Sequence, residues 1–420
     1  IKYQEQRIVL SNLINSESKI LFNRNPRERV AKVAPWLTID GDPYPAIIDG
    51  KILWIIDGYT TSAGYPNSRV VNLANTGDAL TSRSNAVSSL DDRNVNYIRN
   101  SVKATVDAYD GTVSLYQWDD KDPVLSTWSK AFPGSVKPRS EISADLLAHV
   151  RYPEDMFRVQ RDILSAYHVT TADAFYGGQD FWRVPLDPSS FGANSANQPP
   201  YYLTMQIPGQ SKPTFSLYTP FVPRGGRENL TALAVVNSDA GDEYGKITVL
   251  QLPRSTNIAG PSQVSSNFEA KPEVATSLSL LRQGGSDVVL GNLLTLPVGK
   301  GLLYVQPVYV RATGNTAAYP LLQKVLVSFG DQIGFSETLQ GALDQVFGGN
   351  SGTTVSDNQQ STSTPGGAGT SQAIRAAISS LQSAYADLEA AQKRLDGAAE
   401  DRARARVKAA IAALVSAQNR

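Results

Sequence analysis

The chain has 420 residues, of which 41% are hydrophobic and 19% charged, so it is long enough for one large or two medium folded domains. Lysine and arginine together number 39, as do aspartate and glutamate, which leaves no net charge to draw the chain to nucleic acid. Cysteine is absent, which excludes disulfides, thiolate zinc sites and cysteine nucleophiles.

The first elements in chain order are two predicted helices, Tyr3–Ser18 and Pro26–Ala34. Asn25 is placed to cap the second helix, and Pro26 suits its first turn. Neither these nor any later apolar run is long enough to cross a bilayer. The chain begins with Ile1 and has no signal peptide pattern, so we expect it to be part of a longer protein.

Two β-hairpins are predicted next, in the segments 45–60 and 104–117. Each has an Asp-Gly pair between two β-rich runs, Asp49-Gly50 in the first and Asp110-Gly111 in the second. Such pairs adopt the positive φ angles that tight hairpin turns need. Tight turns between neighbouring strands favour antiparallel pairing.

The segment Asp122–Ala174 has a helical pattern, which is clearest at Pro153–Tyr167. Beyond it, one helical stretch is predicted near Pro261–Gln283 and a closing helix at Phe335–Phe347. The predicted strands are Tyr201–Ile207, Thr214–Thr219, Leu230–Asn237, Lys246–Leu252, Val288–Leu296, Leu302–Arg311 and Val325–Phe329. These elements predict an α+β fold with mixed, mainly antiparallel sheets and packed helices.

The C-terminal part of the chain changes composition. Residues 350–371 form a low-complexity segment rich in Gly, Ser and Thr, which predicts a flexible linker. Residues 372–420 carry apolar positions at heptad-like spacing and predict a helical hairpin or a coiled-coil tail. Within that tail, Arg402–Lys408 alternates basic residues with others, which fits either a solvated helix surface or contact with anionic lipid. The predicted domains are therefore 1–349, 350–371 and 372–420, and the first of them consists of either one unit or two subdomains.

The chain offers little material for common catalytic motifs. Its only histidines are His149 and His168, and both are interpreted as residues at helix C-termini. No G-x-S-x-G nucleophile motif and no G-x-x-x-x-G-K-[ST] phosphate loop occurs, and Gly225-Gly226 is assigned to a loop.

Paired carboxylates supply the candidate metal ligands. Asp40 and Asp42 stand beside predicted β structure, and a second acidic group includes Asp239, Asp242 and Glu243. Carboxylate oxygens suit Ca²⁺ or another divalent cation, and two acids can also divide acid and base roles. Asp and Gly also form turns, so the alternative interpretations are a turn at Asp40 and Asp42 and a hairpin loop at Asp239–Glu243. A further group, Asp119, Asp120 and Asp122, has the same two interpretations. No cofactor is required by the sequence.

Several long segments resemble, in order, the actinobacterial membrane proteins of uncharacterised protein family 0182. The matching segments include Leu21–Val30, Val33–Pro45, Asp57–Ser62, Asn96–Lys103, His149–Phe157, Tyr167–Val169, Gly291–Val298 and Lys324–Gly330. The resemblance covers about residues 3–349. It implies a multi-pass protein whose N-terminal membrane helices lie outside this chain, with this domain on the extracytoplasmic side of the cell membrane.

That resemblance carries no biochemical activity or catalytic residues to this chain. We expect a non-catalytic module that binds an envelope protein or a lipid, and no nucleic acid. Two alternatives stay open at this point. One is a metal-assisted envelope hydrolase that uses carboxylates from the Asp40/Asp42 or the Asp239/Asp242/Glu243 region, and the other is an accessory domain for transport of lipids or polymer precursors.

Overall fold

A computed structural model describes most of the chain between residues 23 and 349. The described residues are 15, 17, 18, 23–76, 92–190, 196–253, 255, 257–283, 285–299, 301–313, 319–349, 383, 387, 399 and 402–409. The chain divides into two compact units, Ile1–Thr353 and Thr354–Arg420. The predicted linker at 350–371 and nearly all of the predicted helix at Tyr3–Ser18 lie outside the described residues, as does most of the tail. In the second unit, residues 402–409 are helical.

The described part of the first unit starts with a helix that packs on a five-stranded antiparallel sheet. Its elements are α1 (Pro26–Val33), β1 (Thr38–Ile39), β2 (Tyr44–Ile48), β3 (Lys51–Ser62), β4 (Val71–Asn72), α2 (Leu73–Thr76), β5 (Asn94–Val95), β6 (Tyr97–Asp107) and β7 (Val113–Gln117). The sheet has the order β1-β3-β6-β7, with β2 also paired to β3. Asn25 caps α1, its side chain accepting a hydrogen bond from the backbone N–H of Arg27. The helix packs on one sheet face through Val30 and Ala34.

Both predicted hairpins are confirmed. In the first, Ile48 pairs with Lys51, and Asp49 and Gly50 adopt positive φ angles of 48° and 76°. In the second, β6 pairs with β7 around a loop in which Gly111 has a φ of 73°. The Asp-Gly pairs therefore mark turns, as their conformational preference predicts.

A helical segment connects the first sheet to the second. It contains α3 (Pro123–Ala131), a 3₁₀ turn (Arg139–Glu141), α4 (Ala144–Ala148), α5 (Glu154–Tyr167) and α6 (Ala172–Tyr176). The predicted helix at Pro153–Tyr167 is confirmed as α5, and Pro153 is its N-cap. Phe157 of α5 belongs to a core cluster that also contains Tyr59 of β3 and Phe221 of the second sheet. Helix α5 therefore shares one core with both sheets.

Two further antiparallel sheets complete the unit. The second sheet contains β8 (Trp182–Arg183), β9 (Tyr201–Met205), β10 (Thr214–Pro223), β11 (Ala232–Asn237) and β12 (Ile247–Gln251). Helices α7 (Pro261–Ala270) and α8 (Pro272–Leu281) follow. The third sheet contains β13 (Ser286–Leu290), β14 (Leu294–Val298), β15 (Gly301–Ala312), β16 (Leu321–Phe329) and β17 (Gln332–Ser336), and α9 (Leu339–Phe347) closes the unit. The α+β prediction is confirmed.

Two predicted elements are wrong in detail. The single strand predicted at Val288–Leu296 is two strands, β13 and β14, which both pair with β15. They separate at Gly291, whose N–H donates to the carbonyl of Pro307 and where a Cβ atom would lie 2.6 Å from the Pro307 ring. The helix predicted from Phe335 begins only at Leu339, because Phe335 pairs with Leu326 in β17.

The helix boundary after β17 is set locally by Thr338. Its hydroxyl accepts a hydrogen bond from the N–H of Gly341 at 3.1 Å, which is an N-cap interaction. Of the helix predicted at Phe335–Phe347, only the part after Thr338 is helical. No helix in the described part of the chain combines the length and the apolar composition that a membrane span requires.

Candidate functional site

Asp42, one of the sequence-predicted acids, holds an arginine that the sequence analysis did not single out. Its carboxylate accepts a hydrogen bond from Arg151 at 2.6 Å. The guanidinium carbon of Arg151 lies 4.0 Å from the ring centre of Tyr44 and 4.7 Å from that of Tyr202. Tyr202 in turn stacks on Phe215 at 5.5 Å, with 14° between the ring planes. We call this column of four side chains, Tyr44, Arg151, Tyr202 and Phe215, the Arg151 stack.

The Arg151 guanidinium is held as a cation. Burial alone would lower its pKa, but the electrostatic interactions with Tyr202 and Asp42 outweigh burial and raise the pKa above the ordinary value. Its two cation–π contacts restrict the rotation of the planar group. Nη2 donates to Asp42, whereas Nε and Nη1 make no hydrogen bond to any residue that the structure describes. These two nitrogens retain donor capacity for another molecule.

Arg151 lines an open cleft of about 610 Å³, which we call the Arg151 cleft. The cleft lies where the β2–β3 hairpin and the segment after α4 meet the second sheet. Its lining residues are Tyr44, Pro45, Ala46, Ala144, Leu147, Ala148, His149, Val150, Arg151, Phe215, Asp239 and Ala240. Asp239 therefore lines the same cleft as Arg151, the residue that pairs with Asp42. Of the two acidic regions chosen separately from the sequence, the first supplies the partner of Arg151 and the second supplies one residue of the cleft lining.

A buried ion pair lies beside the Arg151 main chain. The Lys103 ammonium pairs with Asp57, and the two side chains are 2% and 4% exposed. Lys103 also donates to the Arg151 carbonyl at 3.1 Å and contacts the Tyr244 hydroxyl at 2.9 Å. The Tyr244 hydroxyl donates to the same carbonyl at 3.0 Å. The ion pair and Tyr244 thus fix the backbone that carries the Arg151 guanidinium.

Burial lowers the pKa of Lys103, while the neighbouring Asp57 works in the opposite direction. The ring of Trp118 provides a second favourable contact, with its centre 5.2 Å from the ammonium nitrogen. Asp57 and Lys103 are directly opposite each other in the β3–β6 ladder. An isolated charged residue within each of two β-rich runs is the sequence signal that could have predicted this pair.

Asp40 is buried and supports the loop beneath Asp42. Its carboxylate accepts hydrogen bonds from the Asp42 N–H at 2.8 Å and from the Tyr59 hydroxyl. Burial raises its pKa well above the ordinary value, and the nearby Asp155 and Asp57 raise it further. Asp155, in the first turn of α5, accepts a hydrogen bond from the Gly41 N–H at 2.9 Å, and burial raises its pKa also. Both carboxyl groups therefore position the Asp40–Asp42 loop.

The remaining acidic candidates lie in the β11–β12 hairpin loop. Asp239 accepts a hydrogen bond from the Phe215 N–H at 3.2 Å, and Glu243 forms an exposed ion pair with Lys246 at 2.5 Å. Asp242 lines a separate cleft of about 510 Å³ together with Glu243. In the described part of the chain, no three His, Asp or Glu side chains are grouped so as to hold a metal ion.

The acidic residues before α3 have local roles. Asp122 caps α3, and its carboxylate also accepts hydrogen bonds from the hydroxyls of Tyr97, Ser101 and Thr60. Asp119 forms an ion pair with Arg99 at 2.6 Å.

The two histidines lie at helix C-termini, as predicted. The Nδ1 atom of His149 is 2.8 Å from the carbonyl oxygen of Asp145, and His149 ends α4. His168 ends α5, and its ring stacks on Trp182 with the ring centres 3.4 Å apart. Of the two, His149 alone lines the Arg151 cleft.

A comparison with known proteins shows the family of this chain. The model of an uncharacterised protein family (UPF0182) matches residues 1–281. The UPF0182 protein Lxx09300 of Leifsonia xyli is 48% identical over 100% of this chain and 47% of its own length. UPF0182 proteins of Paenarthrobacter aurescens and Thermobifida fusca are 53% and 56% identical over 87% and 83% of this chain.

This chain covers only 37% and 34% of the lengths of the latter two proteins. No solved structure matches it significantly. The family model covers more than half of the chain, and the relatives share about half of its residues. The chain therefore belongs to the uncharacterised protein family UPF0182.

Proposed function

We propose that this chain is a non-catalytic binding module on the extracytoplasmic side of the cell membrane, and that its ligand enters the Arg151 cleft. The observation that carries the proposal is Arg151 itself. Its guanidinium contacts the rings of Tyr44 and Tyr202, and it keeps two nitrogens without a hydrogen bond to any described residue. Binding sites commonly lie where structural units meet and combine apolar walls with a few fixed polar groups.

The chemistry of the cleft defines the class of ligand. A planar guanidinium recognises a carboxylate or phosphate group through two parallel hydrogen bonds. The apolar lining around it, including Phe215 and Leu147, suits an aliphatic or aromatic group next to that anion. Because the stack already fixes Arg151, less conformational entropy is lost when the ligand binds. The envelope component or partner protein that we propose carries such an acidic group beside an apolar one.

The carboxyl groups nearest to the cleft support this interpretation. Asp40 accepts hydrogen bonds from Tyr59 and Asp42, Asp155 accepts one from Gly41, and Asp57 pairs with Lys103. In a carboxylate-based hydrolase, the reacting groups must contact the substrate. Here these groups hold the loop and the backbone that present Arg151.

The proposed location is tested by labelling single cysteines in the full-length protein, since this chain has none of its own. Tyr176 is 97% exposed, so Tyr176→Cys should react with a membrane-impermeant maleimide in intact cells. The buried Val327→Cys should react only after denaturation, which controls for folding. The parent protein controls for cysteines elsewhere. Labelling of Tyr176→Cys only after cell lysis would show that the domain faces the cytoplasm.

The proposed site is tested by photo-crosslinking in the native host. Ala148 lines the cleft and is exposed, so a photoreactive residue in its place should form an adduct with the ligand. The same residue at position 176 is the control outside the cleft. We expect Arg151→Lys to abolish the adduct, because lysine keeps the charge but cannot reproduce the planar guanidinium. An adduct that persists in Arg151→Lys, or forms equally at position 176, would exclude the cleft.

A further inference from the structure

A second cleft, of about 460 Å³, lies between α5 and the second sheet and is rich in arginine. Helix α5 contributes Arg158 and Arg161, strand β8 contributes Arg183, and the loop after β10 contributes Arg224. Among the described residues, the carboxylates in its lining are Asp162 and Glu228. The described lining thus contains four guanidinium groups and two carboxylates, in a chain whose net charge is zero.

The two acidic groups are themselves engaged by cations. Glu228 pairs with Arg183, and Asp162 pairs with Arg69, which lies outside the cleft lining, at 3.5 Å. Arg158 pairs with Glu154 at 2.5 Å on its own helix. The side chain of Arg224 forms no ion pair within the described part of the chain, and this residue is exposed at the rim. Arg183 and Arg158 are therefore paired with carboxylates, and the Arg224 guanidinium at the rim is the group that an entering anion can reach without displacing a carboxylate among the described residues.

The floor of the cleft is built of fixed donors. Arg161 is 3% exposed, and its Nη1 donates to the Gln198 carbonyl at 2.9 Å and to the Thr219 hydroxyl at 3.3 Å. Arg158 is 8% exposed and lies one helical turn earlier on the same face of α5. Keeping arginine groups desolvated is costly, and a low dielectric strengthens their attraction for an anion. Buried guanidinium groups at the base of an open cleft thus supply fixed positive charge that attracts an anion.

The loop of Gly225-Gly226 forms one wall of this cleft. These two glycines have φ angles of 97° and 87°, which other residues rarely adopt, and Gly226 lines the cleft. The apolar side chains of Val184 and Leu186 also line it, so the cleft combines a cationic floor with an apolar edge. That combination fits a phosphate group attached to an organic moiety.

We propose that the arginine-rich cleft binds a phosphate group, carried either by a soluble phosphate ester or by a phospholipid headgroup. Tetrahedral phosphate oxygens match several guanidinium forks at once, which a single carboxylate does not. The site is separate from the Arg151 cleft, and its occupancy does not depend on the ligand proposed there.

Calorimetry on the 420-residue chain tests this proposal with inorganic phosphate and glycerol 3-phosphate as probes. Vesicle flotation, with phosphatidylglycerol against phosphatidylcholine, provides the membrane-bound form of the same group. Arg224→Gln should weaken binding of the effective probe about tenfold or more, the factor expected for one charge-assisted hydrogen bond. Arg311→Gln, which removes an exposed arginine paired with Asp287 in the third sheet, is the matched control and should bind normally.

A phosphate-ester site is supported if a soluble probe binds and this binding is lost in Arg224→Gln. A headgroup site is supported if only phosphatidylglycerol vesicles bind and this binding is lost in the same variant. Arg151→Lys should bind phosphate normally, which separates this result from the fate of the proposed function. Absence of saturable binding to every probe, or equal effects of Arg224→Gln and Arg311→Gln, would overturn the proposal. Arg224 is exposed, so its replacement leaves the fold intact and the comparison interpretable.

Discussion

Replacing Lys103 by methionine removes the only ammonium group that pairs with the buried Asp57 among the described residues. Methionine retains most of the length of the lysine side chain, so the change tests charge more than volume. It leaves a carboxylate that is 4% exposed without its cation. It also removes the donor to the Arg151 carbonyl that helps to hold the Arg151 stack.

The expected cost follows from the burial of the pair. Breaking a buried ion pair by removing one partner costs about 3–5 kcal/mol, because the other charge stays desolvated. Lys246→Met is the matched control, since the Lys246–Glu243 pair is 63% and 61% exposed and should cost only about 0.2–1 kcal/mol. The two variants should therefore differ by at least about 2 kcal/mol, or roughly 30-fold in the folded-to-unfolded ratio.

Urea unfolding followed by tryptophan fluorescence measures this difference, and Trp118 beside Lys103 is a local reporter. The slope grows with chain length, and with a value of roughly 3 kcal/mol per molar urea the midpoints of the two variants should lie about 0.7 M apart. Adding Asp57→Asn to Lys103→Met should recover part of the loss, because the unpaired charge disappears. Equal midpoints for Lys103→Met and Lys246→Met, or no recovery in the double variant, would refute the argument from burial.

Three further changes test the supports of the site and the fold. Asp122→Asn should cost about 1.5–3 kcal/mol at pH 7, because charge-assisted hydrogen bonds are lost. Burial raises the pKa of Asp122, but its hydrogen bonds outweigh burial and lower the pKa overall, so this stabilisation is present above pH 3.8 and is lost as the pH falls through the folded-state pKa. The difference in urea midpoint between wild type and Asp122→Asn should therefore become smaller at low pH. Burial raises the folded-state pKa of Asp40, so the wild type should lose stability as the pH rises above 3.8, and Asp40→Asn should not show this loss. Urea midpoints measured at a series of pH values test this, and the same dependence of the midpoint on pH in both proteins would contradict it. Gly334→Ala should cost more than about 2 kcal/mol in thermal unfolding, because its Cβ would lie 2.0 Å from the Ala342 carbonyl oxygen, whereas Gly241→Ala meets no atom within 4 Å and should change stability by less than about 0.5 kcal/mol.

The acidic residues selected from the sequence contact other parts of the protein in the folded chain. Asp42 pairs with Arg151, and Asp239, which lines the Arg151 cleft, accepts a hydrogen bond from the backbone of Phe215. Carboxylates beside turn-forming residues are compatible with both metal binding and loop support. The partners of each oxygen depend on the three-dimensional fold, and a one-dimensional pattern does not contain them.

The local elements were determined by the sequence itself. The Asp-Gly pairs at 49–50 and 110–111 specify hairpins because few residues adopt positive φ, and Asn25 and Pro26 specify the start of α1. The amphipathic spacing of Pro153–Tyr167 specifies α5, because helix periodicity is also a short-range property of the chain. These features need no contact with distant parts of the chain, and all were correctly predicted.

The candidate site was decided only by the tertiary structure. Its stack joins Tyr44, Arg151, Tyr202 and Phe215, which come from a hairpin, an interhelical segment and two strands of another sheet. The split of Val288–Leu296 likewise depends on the packing of Gly291 against Pro307. Apolar periodicity shows which residues are buried, but it does not show which buried residues meet. That pairing depends on long-range packing, which is why the Arg151 cleft and the arginine-rich cleft are visible only in the folded chain.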